Sequence, residues 1–155
     1  QVRSEWNLRD HHRTLLRWAS ALHEAGMFMT YSGYHKHGAY LLTHTEMPGF
    51  SRQDQRCLAA IVLGHRGKPT RDKIAEVAPM WNRKLLHLVT LLRISSHIHR
   101  RRSPRPSPEV KAEVSSRRIE LSFPGDWLAD RPLSHADLQD DARNLENLGY
   151  QLVIV

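Results

Sequence analysis

LHEAG at residues 22–26, YHKHGAYLL at 34–42 and GHR at 64–66 are the stretches on which the fold of this chain depends. Each contains a histidine close to the place where a helical pattern begins or ends. Over residues 11–25 apolar side chains recur at helical spacing, and Gly26 follows, the residue type that most often terminates a helix. The sequence therefore predicts a helix that ends at the His-Glu pair of the first stretch.

Further helices follow. Ser51 can cap a helix while Asp54 lies three residues later, so a third helix begins there and runs to His65, which falls on its buried face. A proline-rich connector separates these helices from a segment with the alternating pattern of strands, in which we expect two strands, a helix near Ser134 and a final strand. The other predicted helices cover residues 35–43, 71–78 and 80–99.

The predicted fold class is mainly α: a helical domain over residues 1–103, followed by a small α+β (β-β-α-β) subdomain over 104–155. The subdomain can bury only one face of its sheet, so we expect it to lean on the helices or on another chain.

Of the 155 residues, 40% are hydrophobic, enough to form a hydrophobic core. A single cysteine, Cys57, excludes an internal disulfide. We expect a cytoplasmic protein, since neither a membrane-spanning run nor a signal peptide is evident.

Positive charge is concentrated in the first part of the chain. Residues 1–105 hold 18 lysines and arginines against 7 acidic residues, whereas residues 106–155 hold 5 against 9. Between 64 and 105 the ratio is 11 to 2. This density favours a polyanionic partner, and a solvated basic surface without a partner is the alternative.

The histidine stretches resemble the HD-type phosphohydrolase scaffold, in which histidines and an aspartate from three helices hold a metal. The corresponding residues here are His23, Glu24, His37 and His65. Glu is one methylene longer than Asp, and Arg66 places a fixed positive charge where many such enzymes have another histidine. We therefore expect no metal, and a vestigial pocket in which these four side chains hydrogen-bond one another.

The sequence around the same stretches resembles the C-terminal region of the exopolyphosphatase and guanosine pentaphosphate phosphatase family. The resemblance is carried by Trp18-Ala19, Ser32-Gly33-Tyr34-His35-Lys36-His37, Pro48-Gly49-Phe50-Ser51 and Phe123-Pro124-Gly125-Asp126-Trp127. It implies an HD-like third domain and a small fourth domain. Two actin-like catalytic domains with a catalytic glutamate and magnesium precede these in the family, and the fragment itself is expected to be noncatalytic and to need no cofactor.

The family role implied is to bind inorganic polyphosphate, to support processivity on long chains and to contribute to a homodimer. The parent would hydrolyse terminal phosphate from polyphosphate and also guanosine pentaphosphate, and the sequence does not separate these substrates. Two other functions stay open: an independent HD-type metal-dependent nucleotide phosphohydrolase, and a nucleic-acid-binding module that uses Arg100 to Arg105. By charge and position, the predicted polyphosphate contacts are Lys36, His65, Arg66, Lys68, Lys84 and Arg93.

Overall fold

A computed structural model of the chain describes residues 2–99 and 109–155. Six helices and a three-stranded sheet make up this part, which confirms the mainly helical fold class with a small α+β portion. None of the helices in the two described ranges is both long and apolar enough to cross a membrane. In chain order the elements are α1 Asp10–Leu22, a 3₁₀ helix Ala25–Phe28, α2 Tyr34–His44, α3 Arg52–Gly64, α4 Arg71–Val77, α5 Arg83–Ile98, β1 Lys111–Val114, β2 Arg118–Ser122, α6 Pro132–Glu146 and β3 Gln151–Ile154.

Side-chain caps set the beginnings of three helices. The hydroxyl of Ser51 accepts a hydrogen bond from the backbone N–H of Asp54, which confirms the predicted cap of α3. The hydroxyl of Thr70 caps α4 in the same way. Asn82 caps α5 and accepts from two backbone N–H groups, so this helix begins at Arg83 and not at residue 80 as predicted.

Helix α3 lies at the centre of the helical part, where it packs against α1, α2, α4 and α5. Its residues Leu58 to Val62 are almost completely shielded from solvent. Two glycines allow close backbone approach beside it. A Cβ at Gly26 would collide with the carbonyl oxygen of Tyr34, and one at Gly64 would meet Val89 Cγ1 at 2.5 Å. The first contact holds the segment after α1 against the start of α2, and the second holds the end of α3 against α5.

The C-terminal portion has the predicted β-β-α-β order. Strand β2 is central, antiparallel to β1 and parallel to β3, with Ile119 opposite both Val114 and Leu152. Helix α6 covers this sheet, and its Leu145 is completely buried. Ile119, Leu121 and Tyr150 belong to the same buried cluster as the residues of α3 and α5. The expectation that this portion leans on the helices is therefore confirmed.

Polar contacts also join the two portions. Trp6 Nε1 donates to the carbonyl of Ser115 at 2.8 Å, and Arg71 Nη2 donates to the carbonyl of Leu148 at 3.0 Å. The hydroxyl of Tyr150 lies 2.7 Å from Nδ1 of His87. The proline-rich connector and the proposed boundary between 103 and 104 lie outside the described residues.

Candidate anion-binding site

Aromatic and imidazole rings meet where α1 and α3 end and α2 begins. His65 follows α3, and its ring centroid lies 5.2 Å from that of His23, which follows α1. Tyr34 and His35, at the start of α2, place their rings 5.7 and 6.3 Å from the ring of His65. The structure thus brings His23 and His65 of the predicted cluster together.

The hydrogen bonds of this cluster differ from the prediction. Nδ1 of His65 lies 2.6 Å from the carbonyl oxygen of Val62, and Nδ1 of His23 lies 2.7 Å from that of Ser20. Each imidazole thus binds a free carbonyl of its own helix end and does not bond the other imidazole through this atom. His23 Nε2 and Glu24 Oε1 are 3.8 Å apart, beyond hydrogen-bond distance.

His35 takes the place in the cluster that we gave to His37. His35 is 8% exposed and faces His65, whereas His37 is only half-buried. The sequence carried a signal for this, because the buried side of α2 consists of His35, Gly38, Ala39 and Leu42. Their spacing of three and four residues is that of one helix face, and His37 falls off it.

The cluster does not fit a metal ion. Within residues 2–99 and 109–155 there is no group of three or more His, Cys, Asp or Glu side chains arranged to hold one. In His23 and His65, Nδ1 binds a backbone carbonyl, so Nε2 is the ring nitrogen of each that is left for another partner. Among the described residues, the metal-dependent phosphohydrolase considered from the sequence therefore has no set of three or more such ligands.

The buried histidines are neutral at physiological pH. Burial lowers the pKa of His65 to about 3, and the neighbouring His23 lowers it further while the hydrogen bond to Val62 opposes this. Burial also lowers the pKa of His35 to about 4, helped by the positive charges of Lys36 and Arg66. His65, predicted as a polyphosphate contact, is 2% exposed and contributes no positive charge.

The loop after α3 and the first turns of α2 and α4 carry the exposed cations of the site. The guanidinium of Arg66 lies over the rings of Tyr34 and Tyr31, 5.1 and 5.9 Å from their centroids. Gly67, at φ 73°, passes so close to His35 that a Cβ there would be 3.1 Å from its Nε2. The carbonyl of Lys68 accepts a hydrogen bond from Nζ of Lys73. Lys73 is thus an additional cation, which sequence reasoning missed.

Arg93 has a different role from the one predicted. By charge and position it is predicted to contact polyphosphate, but its side chain is only 2% exposed. Its Nε donates to Asp141 at 2.6 Å, Nη1 to the carbonyl of Gly64 at 2.9 Å and Nη2 to that of Gly67 at 2.7 Å. This burial argues against direct contact of Arg93 with polyphosphate. Arg93 instead anchors the loop that presents Arg66.

Lys84 lies apart from the other predicted contacts. Burial lowers the pKa of His12, and the charge of Lys84 adds to this effect, so Lys84 lies near the start of α1. The ring cluster is at the other end of α1. Eleven residues of helix separate His12 from His23, about 16 Å at 1.5 Å per residue. The structure therefore does not bring Lys84 together with Arg66.

We call the exposed side chains of Lys36, Arg66, Lys68 and Lys73 the basic loop face. Arg66 is held in place by stacking on tyrosines, while the lysines are compact charges on flexible stems. Lys36 and Arg66 both lie close enough to His35 to affect its pKa. Such a combination of a planar donor group and several ammonium groups is suited to phosphate oxygens.

The described residues thus form a helical part joined to a small α+β portion, with a basic face beside the ring cluster. The family model for Ppx/GppA phosphatase, domain III, matches residues 1–142. The chain belongs to the Ppx/GppA phosphatase family, as predicted from the sequence around its histidine stretches.

Relatives of this chain are much longer proteins. It is 35% identical over 90% of its length to a guanosine-5'-triphosphate,3'-diphosphate pyrophosphatase of Pseudoalteromonas translucida, of which it covers 28%. Proteins of the same name from Photobacterium profundum and Vibrio cholerae are 29% and 31% identical over 97% and 90% of the chain, which covers 30% and 28% of them. The chain thus spans under a third of the relatives it matches.

Proposed function

We propose that this chain is the noncatalytic C-terminal region of a phosphatase that removes terminal phosphate from inorganic polyphosphate and from guanosine pentaphosphate. The basic loop face would bind the distant part of the phosphate chain. The observation that carries this proposal is the fixed position of Arg66, stacked on Tyr34 beside Lys36 and Lys68 on a loop anchored by Arg93.

Electrostatics would supply most of the binding free energy. Each bound phosphate would release counterions to solution, as occurs when proteins bind nucleic acids. Neutral His35 and His65 beneath the loop would add no charge but would keep the backbone in position. Long polyphosphate would therefore bind more tightly than short chains, which can reach only a few of the cations.

The binding experiment compares the unchanged chain with a Lys36→Gln/Arg66→Gln/Lys68→Gln variant on long polyphosphate over a series of salt concentrations. If all three residues contact phosphate, the slope of log affinity against log salt should become about 2 to 3 units shallower. The matched control is Lys111→Gln/Arg118→Gln/Arg143→Gln, which removes the same charge from exposed positions of the C-terminal portion. Equal slopes for both variants would contradict a specific loop site.

The same experiment addresses nucleic-acid binding. Arg100 to Arg105, on which that alternative depends, lie outside the described residues. Neutralising Arg100, Arg101 and Arg102 should leave the affinity for polyphosphate largely unchanged. A loss of polyphosphate binding in this variant alone, or tighter binding of duplex DNA at the same salt concentration, would favour the basic connector as the binding element.

The proposed absence of catalysis has a direct test. The chain is incubated with long polyphosphate and magnesium or manganese while phosphate release is followed. We expect no turnover, because in our proposal the actin-like domains of the whole protein supply the catalytic glutamate and the magnesium. Turnover of about 1 per second, the low end for ordinary enzymes, would overturn this part of the proposal.

We also propose that the whole protein is a homodimer and that this region contacts both its partner copy and the actin-like domains. Large apolar side chains on the surface support such contacts, since Phe28 is 97% and Met29 57% exposed. Sedimentation of the whole protein with and without Phe28→Ser and Met29→Ser would test the proposed dimer. An unchanged dimer would remove these two residues from its interface.

A further inference from the structure

A second concentration of positive charge lies between the helical and C-terminal portions, and none of the residues that line it belongs to the basic loop face. Here the chain forms a cavity of about 260 Å³ that is open to solvent on one side. Arg71, Arg83 and Arg117 line it, together with Trp81 and Tyr150. It has no acidic residue in its lining. The cavity could hold an anion the size of pyrophosphate or tripolyphosphate.

The three arginines come from separate parts of the fold. Arg71 begins α4, Arg83 begins α5, and Arg117 precedes β2. Burial raises the pKa of Tyr150, and the charges of all three arginines act in the opposite direction. The three guanidinium groups therefore lie close to the Tyr150 hydroxyl. Arg83 also lowers the pKa of His87, after the larger effect of burial. The tertiary structure thus assembles a cationic centre that no local stretch of sequence contains.

One of these guanidinium groups is held by the backbone. Arg71 donates through Nε and Nη2 to the carbonyl of Leu148, at 3.2 and 3.0 Å. Gly149, at φ 84°, lies so close to it that a Cβ would collide with Nη2. In the described part of the chain no carboxylate forms an ion pair with Arg71, Arg83 or Arg117, although Arg118 beside them pairs with Glu120. Three like charges around one cavity repel one another, and an anion would relieve this repulsion.

We infer that this cavity, which we call the arginine pocket, is a binding site for a short phosphoanhydride chain. Arg71 is preorganised on the backbone, and Arg83 and Arg117 are exposed and able to turn their donors toward phosphate oxygens. Two sources could supply this chemistry: inorganic oligophosphate, or the phosphates of a nucleotide whose base stacks on Trp81. Because the pocket shares no residue with the basic loop face, its ligand can be tested whether or not that face binds polyphosphate.

Binding also has a consequence for the fold. The pocket wall includes Arg71 and Trp81 from the helical part and Arg117, Leu148 and Tyr150 from the C-terminal part. An anion held by both parts would stabilise their contact, since a ligand that binds only the folded state raises stability by mass action. A rise in melting temperature with tripolyphosphate therefore provides a second readout.

The test measures binding of inorganic tripolyphosphate to the full chain by calorimetry and tryptophan fluorescence at low salt. Arg83→Gln and Arg117→Gln should each weaken binding about fivefold, the upper end for an exposed charge pair, and should reduce the rise in melting temperature. Both positions are exposed, so the variants should fold, which circular dichroism would verify. The matched control is Arg118→Gln/Arg143→Gln, which removes two exposed charges outside the pocket and should bind as the unchanged chain does.

Two further arms identify the source of the phosphate chain. If GTP binds more tightly than tripolyphosphate and Trp81→Ala removes the difference, the pocket takes a nucleotide. If the two ligands bind equally in both proteins, it takes inorganic oligophosphate. The site itself is overturned if the unchanged chain does not bind tripolyphosphate, or if the Arg83 and Arg117 variants bind it as tightly as the control does. A loss of affinity confined to Lys36, Arg66 or Lys68 variants would likewise assign binding to the loop face and overturn the pocket.

Discussion

At the scale of single residues, the ion pair between Arg93 and Asp141 has the largest structural consequences. Both side chains are almost fully buried, and they join α5 to α6 across 48 positions of sequence. Arg93 also binds the carbonyls of Gly64 and Gly67. Burial raises the pKa of Asp141, but the hydrogen bond from His97 and the charge of Arg93 outweigh it, so the pKa is lowered overall.

Removal of either partner of this pair should be strongly destabilising. Arg93→Met and Asp141→Leu each leave an uncompensated buried charge, and we expect each to lower the free energy of unfolding by about 3–5 kcal/mol. The double variant should recover much of this loss, because neither charge then remains. Urea unfolding of the four proteins would measure the coupling. Additive losses in the double variant would contradict a direct pairing.

A second prediction at this scale concerns His65 and pH. Its pKa is lowered to about 3 in the folded chain, from 6.5, so the unfolded chain binds the proton first as pH falls. The contribution of neutral His65 is therefore complete above pH 6.5 and is lost as pH falls toward 3. Between pH 7.5 and 5 the loss should be about 2 kcal/mol. His65→Gln should show a correspondingly weaker pH dependence in urea unfolding, and an unchanged profile would mean that His65 is not buried neutral.

At the scale of elements, close backbone contact sets how the helices meet at the site. Gly26 lies in the 3₁₀ helix after α1, where its α-carbon faces the backbone of α2 at Tyr34 and Gly38. Gly38 faces Val62 of α3, with more space: a Cβ there would lie 3.1 Å from Cγ1 of Val62. The ring cluster depends on this approach, because Tyr34 and His35 begin α2.

Alanine substitutions at these glycines should differ in effect. Gly26→Ala forces backbone segments apart and should cost about 3 kcal/mol in stability, the upper end for overpacking. Gly38→Ala is the control, since it shifts only a side chain and gains about 0.5–1 kcal/mol of helix propensity. Thermal unfolding of both variants would compare them. If Gly38→Ala proved the more harmful, the packing of α2 on the 3₁₀ helix would be less tight than described.

At the scale of the whole molecule, the helical and C-terminal portions share one core. Tyr150 binds His87, and the ring of Trp6 stacks on the same His87 at 4.1 Å between centroids while its Nε1 binds the carbonyl of Ser115. The described residues on the two sides of the connector therefore stabilise one another. The boundary predicted between 103 and 104 marks the place where the sequence pattern changes from helical to alternating.

Unfolding should accordingly be a single cooperative transition. The signals of the tryptophans in fluorescence and of the helices in circular dichroism should have the same midpoint in urea. Trp6→Phe, which removes the hydrogen bond to Ser115 but keeps an aromatic ring, should lower that midpoint for both signals together. Two separate transitions would show that the portions fold as independent domains.

The sequence by itself determined the order and type of the elements, the cap at Ser51, the family and the place where the histidine stretches meet. Local periodicity and caps depend on residues only a few positions apart, so they can be predicted from residues that are close together in sequence. The same periodicity contained the signal for His35 on the buried face of α2, although we had chosen His37.

Only the tertiary structure decided which of the cations are buried and paired and which are exposed. Whether an arginine is exposed or buried depends on partners far away in sequence: Asp141 neutralises Arg93, whereas Arg83 and Arg117 meet at a cavity without an acidic residue in its lining. Charge density along the chain predicts a polyanion partner but cannot separate these cases. The physical reason is that the free energy of a charge depends on its solvation and nearest counter-charges, which long-range packing sets.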